Sequence, residues 1–445
     1  MLSSACFLVR LFLSEVCLFP WRECAFLMGF SMDSYFLGKL KGLMLVVALA
    51  FPSIASATQP LSLNDAERLA RIDDPATQRF QELAEARREA AISASQLPDP
   101  MLIVEVMDVA RDGFTVEDDS MTQFRLGIRQ TFPRGDSRRF ASERESAMAQ
   151  AEEARSSNAE RAAMRAVRRA YLSLYNQRAV LEVLKQSQPL FEDLREITER
   201  EFASGFADQQ DLLRAELELD RLHDRLLNTQ AQESAALAQL SRWVGLEAVA
   251  RPLPSDFPEL AEPTGTLLAH PLLVAEQAIV DAGAHGIELS RQGYKPQWSV
   301  ELTYGTPTER GMGMPDRMSA MVMVDLPLFT RQRQDRDLSA SVHQREAAQY
   351  AWHEQVREMQ RQLEETQARW RQLSKRERGF VERLIPQAKA NAEAAEHGYR
   401  NRTVDFTAYV RARLIELDTQ IDAIGIATER RLEQVDLLYL LGEDA

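Results

Sequence analysis

Apolar residues recur along this chain with two different periods, and the switch between them outlines its elements. Over 122–132, Phe124, Leu126 and Ile128 alternate with Gln123, Arg125, Gly127, Arg129 and Thr131. Over 298–305, Trp298, Val300, Leu302 and Tyr304 alternate with Ser299, Glu301, Thr303 and Gly305. Over 318–326, Met318, Ala320, Val322, Val324 and Leu326 alternate with Ser319, Met321, Met323 and Asp325. A period of two predicts strands with one apolar and one polar face. Elsewhere the spacing is three and four. Met164, Val167, Tyr171, Leu174 and Leu181 share one face of a helix predicted over about 140–186, and Leu219, Leu222 and Leu226 share one in the next helix. Alanines at 147, 151, 154, 162, 163, 166 and 170 permit close helix approach. A helix of that span runs about 70 Å at 1.5 Å per residue, which predicts a coiled coil or a helical tube.

The pattern occurs twice. Displaced by 197 residues, Phe132 falls on Phe329, Arg134 on Arg331, Pro189 on Pro386, Phe202 on Tyr399, Asp208 on Asp405, Arg214 on Arg411 and Gly245 on Gly442. Displaced by 196, Pro75 falls on Pro271 and Pro100 on Pro296. The one-residue change is expected in a variable loop between Pro100 and Phe132. Each half reads as a helix (about 63–96 and 267–292), two short alternating segments and two long helices. The expected organisation is an N-terminal extension with a signal over 1–57, a first repeat over 58–250, a proline-rich connector over 251–264 and a second repeat over 265–445.

Segments of about ten residues with one apolar face suit a transmembrane β-barrel, although a half-exposed sheet in a soluble domain alternates identically. In the barrel reading, Phe124, Ile128, Trp298 and Val322 face lipid, and Arg125, Arg129, Glu301 and Asp325 face the lumen. Trp298 and Tyr304 would suit the aromatic belts. The N-terminus favours the barrel. Lys39 and Lys41 precede an apolar run over 42–51, Pro52 breaks it, and Ala55-Ser56-Ala57 follows as a small-x-small cleavage site. That order is a secretory signal, and its core is too short to span a bilayer. Met28 or Met32 would each be a conventional start, so 1–31 reads as an over-long N-terminus. All three cysteines (Cys6, Cys17 and Cys24) precede the cleavage site, which leaves no disulfide or thiolate chemistry after it. Composition narrows the class further. With 53 Lys+Arg against 67 Asp+Glu, the chain is acidic, the opposite balance to a nucleic-acid binder.

The doubled pattern Phe202-x-x-Gly205-x-x-Asp208-x-x-x-Leu212-x-Arg214-Ala215 and Tyr399-x-x-Arg402-x-x-Asp405-x-x-x-Tyr409-x-Arg411-Ala412 resembles the TolC-type outer-membrane efflux proteins. The passages Gln130-Thr-Phe-Pro-Arg-Gly and Leu326-Pro-Leu-Phe-Thr-Arg, each leading into a helix, add to the resemblance, which covers about 62–445. It implies a mainly α fold with a transmembrane β part: a homotrimer in which each chain gives four strands to a twelve-stranded β-barrel, and its helices to a long α-helical coiled-coil barrel. It also implies an outer-membrane location with a large periplasmic part, and a passive exit duct. The duct would be fed by an inner-membrane pump through a periplasmic adaptor (a membrane fusion protein). The turn before Asp208 would lie at the periplasmic tip, where the family has its constriction. The motif places Asp211 and Arg214 there in the first half, and Ala408 and Arg411 in the second, where the best-known pattern has two acids. A mixed Asp211/Arg214/Arg411 network is expected, with Asp208 and Asp405 as turn residues that could equally cap the following helix.

No catalytic signature, metal site or cofactor motif is read from the chain. The six histidines lack paired-ligand spacing, and no Gly-rich phosphate loop is present. Met312, Met314, Met318, Met321 and Met323 crowd the second hairpin. Thioethers favour soft ions such as Cu(I), as in a heavy-metal-resistance branch, whereas simple filling of a lipid or lumen face is the plain alternative. The competing functions are the periplasmic adaptor itself, which would show one hairpin and no duplicated strand pair, and a coiled-coil scaffold, which gives the strands no reason to alternate. N-terminal sequencing of the mature protein should begin at Thr58, and a retained Cys24 would overturn the signal assignment.

Overall fold

The computed structural model describes residues 59–72, 74–109, 122–206, 208–307 and 315–442. The signal segment, the cysteines, Met312 and Met314 lie outside the described residues. Each repeat opens with a short helical segment followed by a longer helix that begins at a proline. Helix α1 (Leu63–Arg71) is capped by Ser62, whose hydroxyl oxygen accepts from the Asp65 amide. A break at Ile72 then separates it from α2 (Pro75–Ser95), which Asp74 caps through the Ala76 and Thr77 amides. The single helix expected over 63–96 is therefore two. Proline at the first helical position lacks an N–H that would be unsatisfied anyway, and it discourages helical backbone just before it. The second repeat obeys the same rule. A 3₁₀ turn at Leu267–Ala269 ends at His270, and α6 starts at Pro271 and runs to Gln292.

The long helices exceed the expected span. Helix α3 runs Ser137–Ala203, 67 residues, about 100 Å at the α-helical rise. Pro189 lies inside it. In the second repeat, the same course is α7 (Gln334–Gly379), a π-helical turn at Phe380–Leu384, and α8 (Ile385–Arg400) with Pro386 in its first turn. A proline ring clashes with the carbonyl four residues back, and a widened turn there relieves the clash. The return helices are α4 (Gln209–Val244), followed by the one-turn α5 (Leu246–Val249), and α9 (Phe406–Leu441). Gly245 and Gly442 end them with φ of 83° and 85°, left-handed values that glycine adopts without a Cβ penalty.

The main core forms where α1, α3 and α4 meet. Val167, Leu174 and Leu240 are fully buried there, beside Met164 and Tyr171. The Tyr171 hydroxyl donates to the Leu61 carbonyl at 2.8 Å, so this buried phenol leaves no unsatisfied donor. Leu181, Leu184, Phe191, Leu222, Leu226 and Leu417 form a second cluster farther along α3, α4 and α9. The helical faces read from the sequence are the ones buried. Helix α3 packs against α2, α4, α6 and α9, whereas α7, its counterpart, buries only Gln334 and Met359.

One antiparallel sheet carries the strands β1 (Met101–Met107), β2 (Gln123–Phe132), β3 (Gln297–Pro307) and β4 (Arg317–Asp325) in that order. β1 and β4 are both edges. Their registers correct the expected position of the repeat's extra residue. β3 starts 196 residues after β1, and the pairs Leu102↔Ile128 and Trp298↔Val324 make β4 follow β2 by the same 196. Past Arg129 and Asp325, where β4 ends, the displacement becomes 197, with Phe132 at the end of β2 falling on Phe329. The extra residue therefore sits where the strand gives way to the passage into the helix. An odd change within a strand would turn its apolar row to the polar face, whereas a passage absorbs one residue freely.

His270 caps α6 in an unusual way. It is fully buried, its Nδ1 accepts from the Leu272 amide at 3.2 Å, and its ring meets Tyr439 edge-on at 5.0 Å. Burial, aided by the nearby Arg161 charge, pushes its pKa down to about 4 from an ordinary 6.5. The unfolded chain takes up this proton near 6.5 while the fold refuses it, so stability is full above that pH and is lost as the pH falls towards 4. Between pH 7 and pH 5 this group should cost about 2 kcal/mol. His270→Asn, which keeps a cap acceptor, should show a smaller drop in the denaturant midpoint over that range than the wild type. Equal drops would refute the role.

Candidate functional site

The sheet has two chemically distinct faces. On one, Phe124, Ile128, Trp298 and Val322 are 44%, 58%, 44% and 64% exposed, joined by Leu102, Val104, Leu126, Leu302, Tyr304 and Val324. Phe132 stacks on Trp298, with ring centroids 4.5 Å apart, and so ties β2 to β3 on this face. On the other face, Gln123, Ser299, Glu301 and Thr303 are buried. Arg129 reaches Glu301 at 2.6 Å across that junction. Arg125 stands opposite Glu105 and Gly305. Asp325, at the end of β4, is paired with Arg134, which also donates to the Gly293 carbonyl at 2.8 Å. The four apolar and the four charged strand residues singled out in the sequence thus stand on opposite faces of the sheet. The methionines do not stay together: Met318 is on the apolar face, and Met321 and Met323 are on the polar one.

The tip of the long hairpins holds the other candidates. Helix α3 ends in a turn where the Phe206 amide donates to the Glu201 carbonyl at 2.8 Å, and Gly205 takes φ 77°. The second hairpin repeats it: the Thr403 amide donates to the Gly398 carbonyl at 2.8 Å, and Arg402 takes φ 57°. An arginine in this left-handed position costs about 1–2 kcal/mol that glycine avoids. Its guanidinium lies 4.7 Å from the Phe206 ring centroid, a cation–π contact between the two turns that offsets part of the cost.

Asp405 caps α9 by accepting from the Ala408 amide at 2.6 Å. Asp208 occupies the same position before α4 without a side-chain cap bond. The expected Asp211/Arg214/Arg411 network is not formed within the protomer. Arg214 donates to the Thr407 hydroxyl at 3.0 Å, and neither Asp211 nor Arg411 makes an ion pair among the described residues. The motif's placement of these charges at the tip suggested the network. The side chain that lies opposite Arg214 across α4 and α9 is a hydroxyl.

Two tip features escaped the sequence reading. Tyr399 stacks on Tyr409 (5.3 Å, 18°), and its hydroxyl donates to the Glu201 carboxylate, linking α8 to the end of α3. Burial, and then this bond, pushes the Tyr399 pKa well above the usual phenol range. The signal was present in the repeat, where Tyr399 adds a hydroxyl to the position of Phe202. Arg413 is largely buried between Glu396 and Glu416, 2.9 Å from the latter. Its repeat counterpart is not basic, so the repeat could not flag it. Farther from the tip, Arg225 meets Asp418 at 2.7 Å, a further tie between α4 and α9.

Among the described residues no helix is long and apolar enough to cross a membrane, and no group of His, Cys, Asp and Glu could hold a metal ion. No curated protein matches the sequence. Residues 104–246 match the family model for outer membrane efflux protein. The fold is similar to that of a membrane protein from Pseudomonas aeruginosa, with 17% identity, a TM-score of 0.75, and 86% of this chain and 90% of that chain covered. The outer membrane protein VceC from Vibrio cholerae gives 16%, 0.72, 86% and 96%, and the Campylobacter jejuni CmeC outer membrane channel 14%, 0.72, 85% and 85%. Residues 104–246 therefore carry an outer membrane efflux protein domain, within a chain that has the fold of outer-membrane channels, and the resemblance to the TolC-type efflux proteins carried by the tip motifs holds in domain and fold alike.

Proposed function

We propose that three copies of this chain form an exit duct in the outer membrane, with a large periplasmic part. The duct passively conducts substrate handed over by an inner-membrane pump through a periplasmic adaptor. The observation that carries this is the four-stranded sheet, with an outward row of exposed apolar side chains, a charged inner face and two open edges. Four strands cannot close on themselves, and open edges are not tolerated in hydrocarbon, so several copies must share one barrel. The thinly covered helix α7 supports the same reading, because it packs on α6 and α9 yet buries only two of its 46 residues. An adaptor or a coiled-coil scaffold gives the outward apolar row no partner.

Closure of such a duct would rest on the tip. Tyr399–Glu201, Arg214–Thr407 and Arg402 over Phe206 tie the α8/α9 hairpin to the α3/α4 hairpin, so an opening that splays the hairpins must break them. Asp211, Arg411 and Asp208 remain the charges open to neighbours around the axis.

Val322→Arg should cost about 2–4 kcal/mol near the bilayer midplane and reduce the heat-modifiable trimer on gels, with Met321→Arg far milder. Equal tolerance of both would mean that the strands do not meet lipid. The double variant Tyr399→Phe/Thr407→Val removes two hydrogen bonds of about 1 kcal/mol each, a roughly thirtyfold shift per protomer towards the splayed tip. In planar bilayers it should open more often or more widely than the wild type, and unchanged conductance would place the constriction elsewhere.

A further inference from the structure

Partway along α3, a cavity of about 370 Å³ opens between this helix, the end of α1 and the last turn of α9. Arg71, Arg161, Arg165 and Arg168 line it, against a single acid among the described residues, Glu160. The four arginines are unequally answered. Arg165 meets Asp436 at 2.7 Å and Arg168 meets Glu67 at 2.6 Å, both carboxylates from outside the cavity wall. Arg71 has Glu160 only at 3.8 Å, with both side chains more than half exposed, so that pair contributes little. Arg161 makes no hydrogen bond or ion pair among the described residues. Its guanidinium lies against the backbone of Gly442, where a Cβ would meet its Nη1 at 3.3 Å. The charge is not cancelled there: after burial, it is the next cause that holds the His270 pKa down.

The repeated architecture does not require these arginines. Displaced by 197, Arg161, Arg165 and Arg168 fall on Glu358, Gln362 and Glu365 of α7. The same helical course is thus built with the opposite charge in the second repeat. A basic cluster that the fold can do without, with one member unanswered beside an open cavity, is a place for charge brought from outside.

We propose that this cavity binds an oxyanion of two or more charges, a phosphate or a group of carboxylates, held by Arg161 and Arg71. A guanidinium presents its donors as a planar fork that matches two oxygens of either group at once. Arg71 is steadied over the cavity by its Nε–H, which donates to the Met164 sulfur at 3.4 Å, one helical turn from Arg161. The ligand replaces Glu160 at Arg71, supplies Arg161 with its missing partner, and ties the end of α1 to α3 and the last turn of α9. Arg161 is 24 residues along α3 from Ser137, about 36 Å at the α-helical rise. In the duct reading, where the strands lie in the bilayer, a cavity that far from them is out of reach of lipid headgroups. The anion therefore comes from the aqueous space. Only this exclusion of lipid rests on the duct reading; the site itself goes beyond it.

Isothermal titration of the purified protein in detergent with pyrophosphate, at constant ionic strength, tests the site. One saturable site per chain is expected. Arg161→Gln and Arg71→Gln should each weaken binding roughly tenfold or more, through loss of a charge-assisted contact. Arg161→Lys, which keeps the charge without the fork, should fall between wild type and Arg161→Gln, and it carries the test if the glutamine variant does not fold. Arg195→Gln, which removes an arginine paired with Glu199 elsewhere on α3, should bind as the wild type does. Tricarballylate titrated in the same way separates the two chemistries: binding of either probe with this mutational pattern supports the site, and the tighter probe names its ligand class. No saturable binding of either, or equal weakening by Arg161→Gln and Arg195→Gln, overturns it. Binding that appears only in Glu443→Gln/Asp444→Asn overturns it too, since the acids that follow Gly442 in the sequence would then be the partners of Arg161. None of these outcomes bears on the trimer, which gel mobility reads separately.

Discussion

Each strand has hydrogen-bonding groups on both of its sides, and a sheet that stops at four strands leaves the outer sides of β1 and β4 unspent. In water that edge is solvated at little cost. In hydrocarbon every unpaired amide or carbonyl costs several kcal/mol, and the only remedies are closure or another chain. In the proposed duct, that requirement falls on a chain too short in strands to meet it alone. The exposed apolar row on one face, the Arg129–Glu301 pair on the other, and the thin cover of α7 are what that reading accounts for.

Both repeats follow one backbone plan, so the places where they diverge are informative. Gly205 and Arg402 hold equivalent left-handed turns, one without strain and one at a cost partly returned by the Phe206 ring. Phe202 and Tyr399 differ by one hydroxyl, and that hydroxyl binds the first hairpin to the second. At the tip, then, the repeats have kept their backbone and exchanged their side chains, and the contacts that tie the hairpins run between unlike partners.

Away from the tip, the protomer is held by narrow strips of apolar contact. Leu181, Leu222 and Leu417 form one, and Val167, Tyr171 and Leu240 belong to another. The numerous i,i+3 and i,i+4 pairs on the helices, such as Arg361 with Glu358 and Glu365, are half-exposed and add little each. Pairs that cross between helices with limited exposure, such as Arg413 between Glu396 and Glu416, fix how α8 and α9 lie together. Long helices with thin cores depend on lateral neighbours, which is consistent with a wall segment of a larger tube.

Periodicity made the strands, their faces and the buried side of α3 legible before any coordinates, because the side-chain period of each element is set locally by backbone geometry. Repetition made the halves legible and paired Pro75 with Pro271 and Gly245 with Gly442, but that these prolines start helices and these glycines end them came only with the fold. What periodicity could not supply was which residues meet across elements. Asp211, Arg214 and Arg411 read as a charge network by type, yet Arg214 is answered by Thr407, since its partner depends on the rotation of α9 against α4. Tyr399 on Glu201 and Arg413 between two acids arise from residues distant in sequence or on different helices, whose approach is decided by packing. The displacement of the extra residue from the hairpin loop to the strand end likewise needed the pairing register. Local rules determine what each segment is, and only the tertiary structure decides what each side chain touches, because contact depends on how separate elements are set against one another.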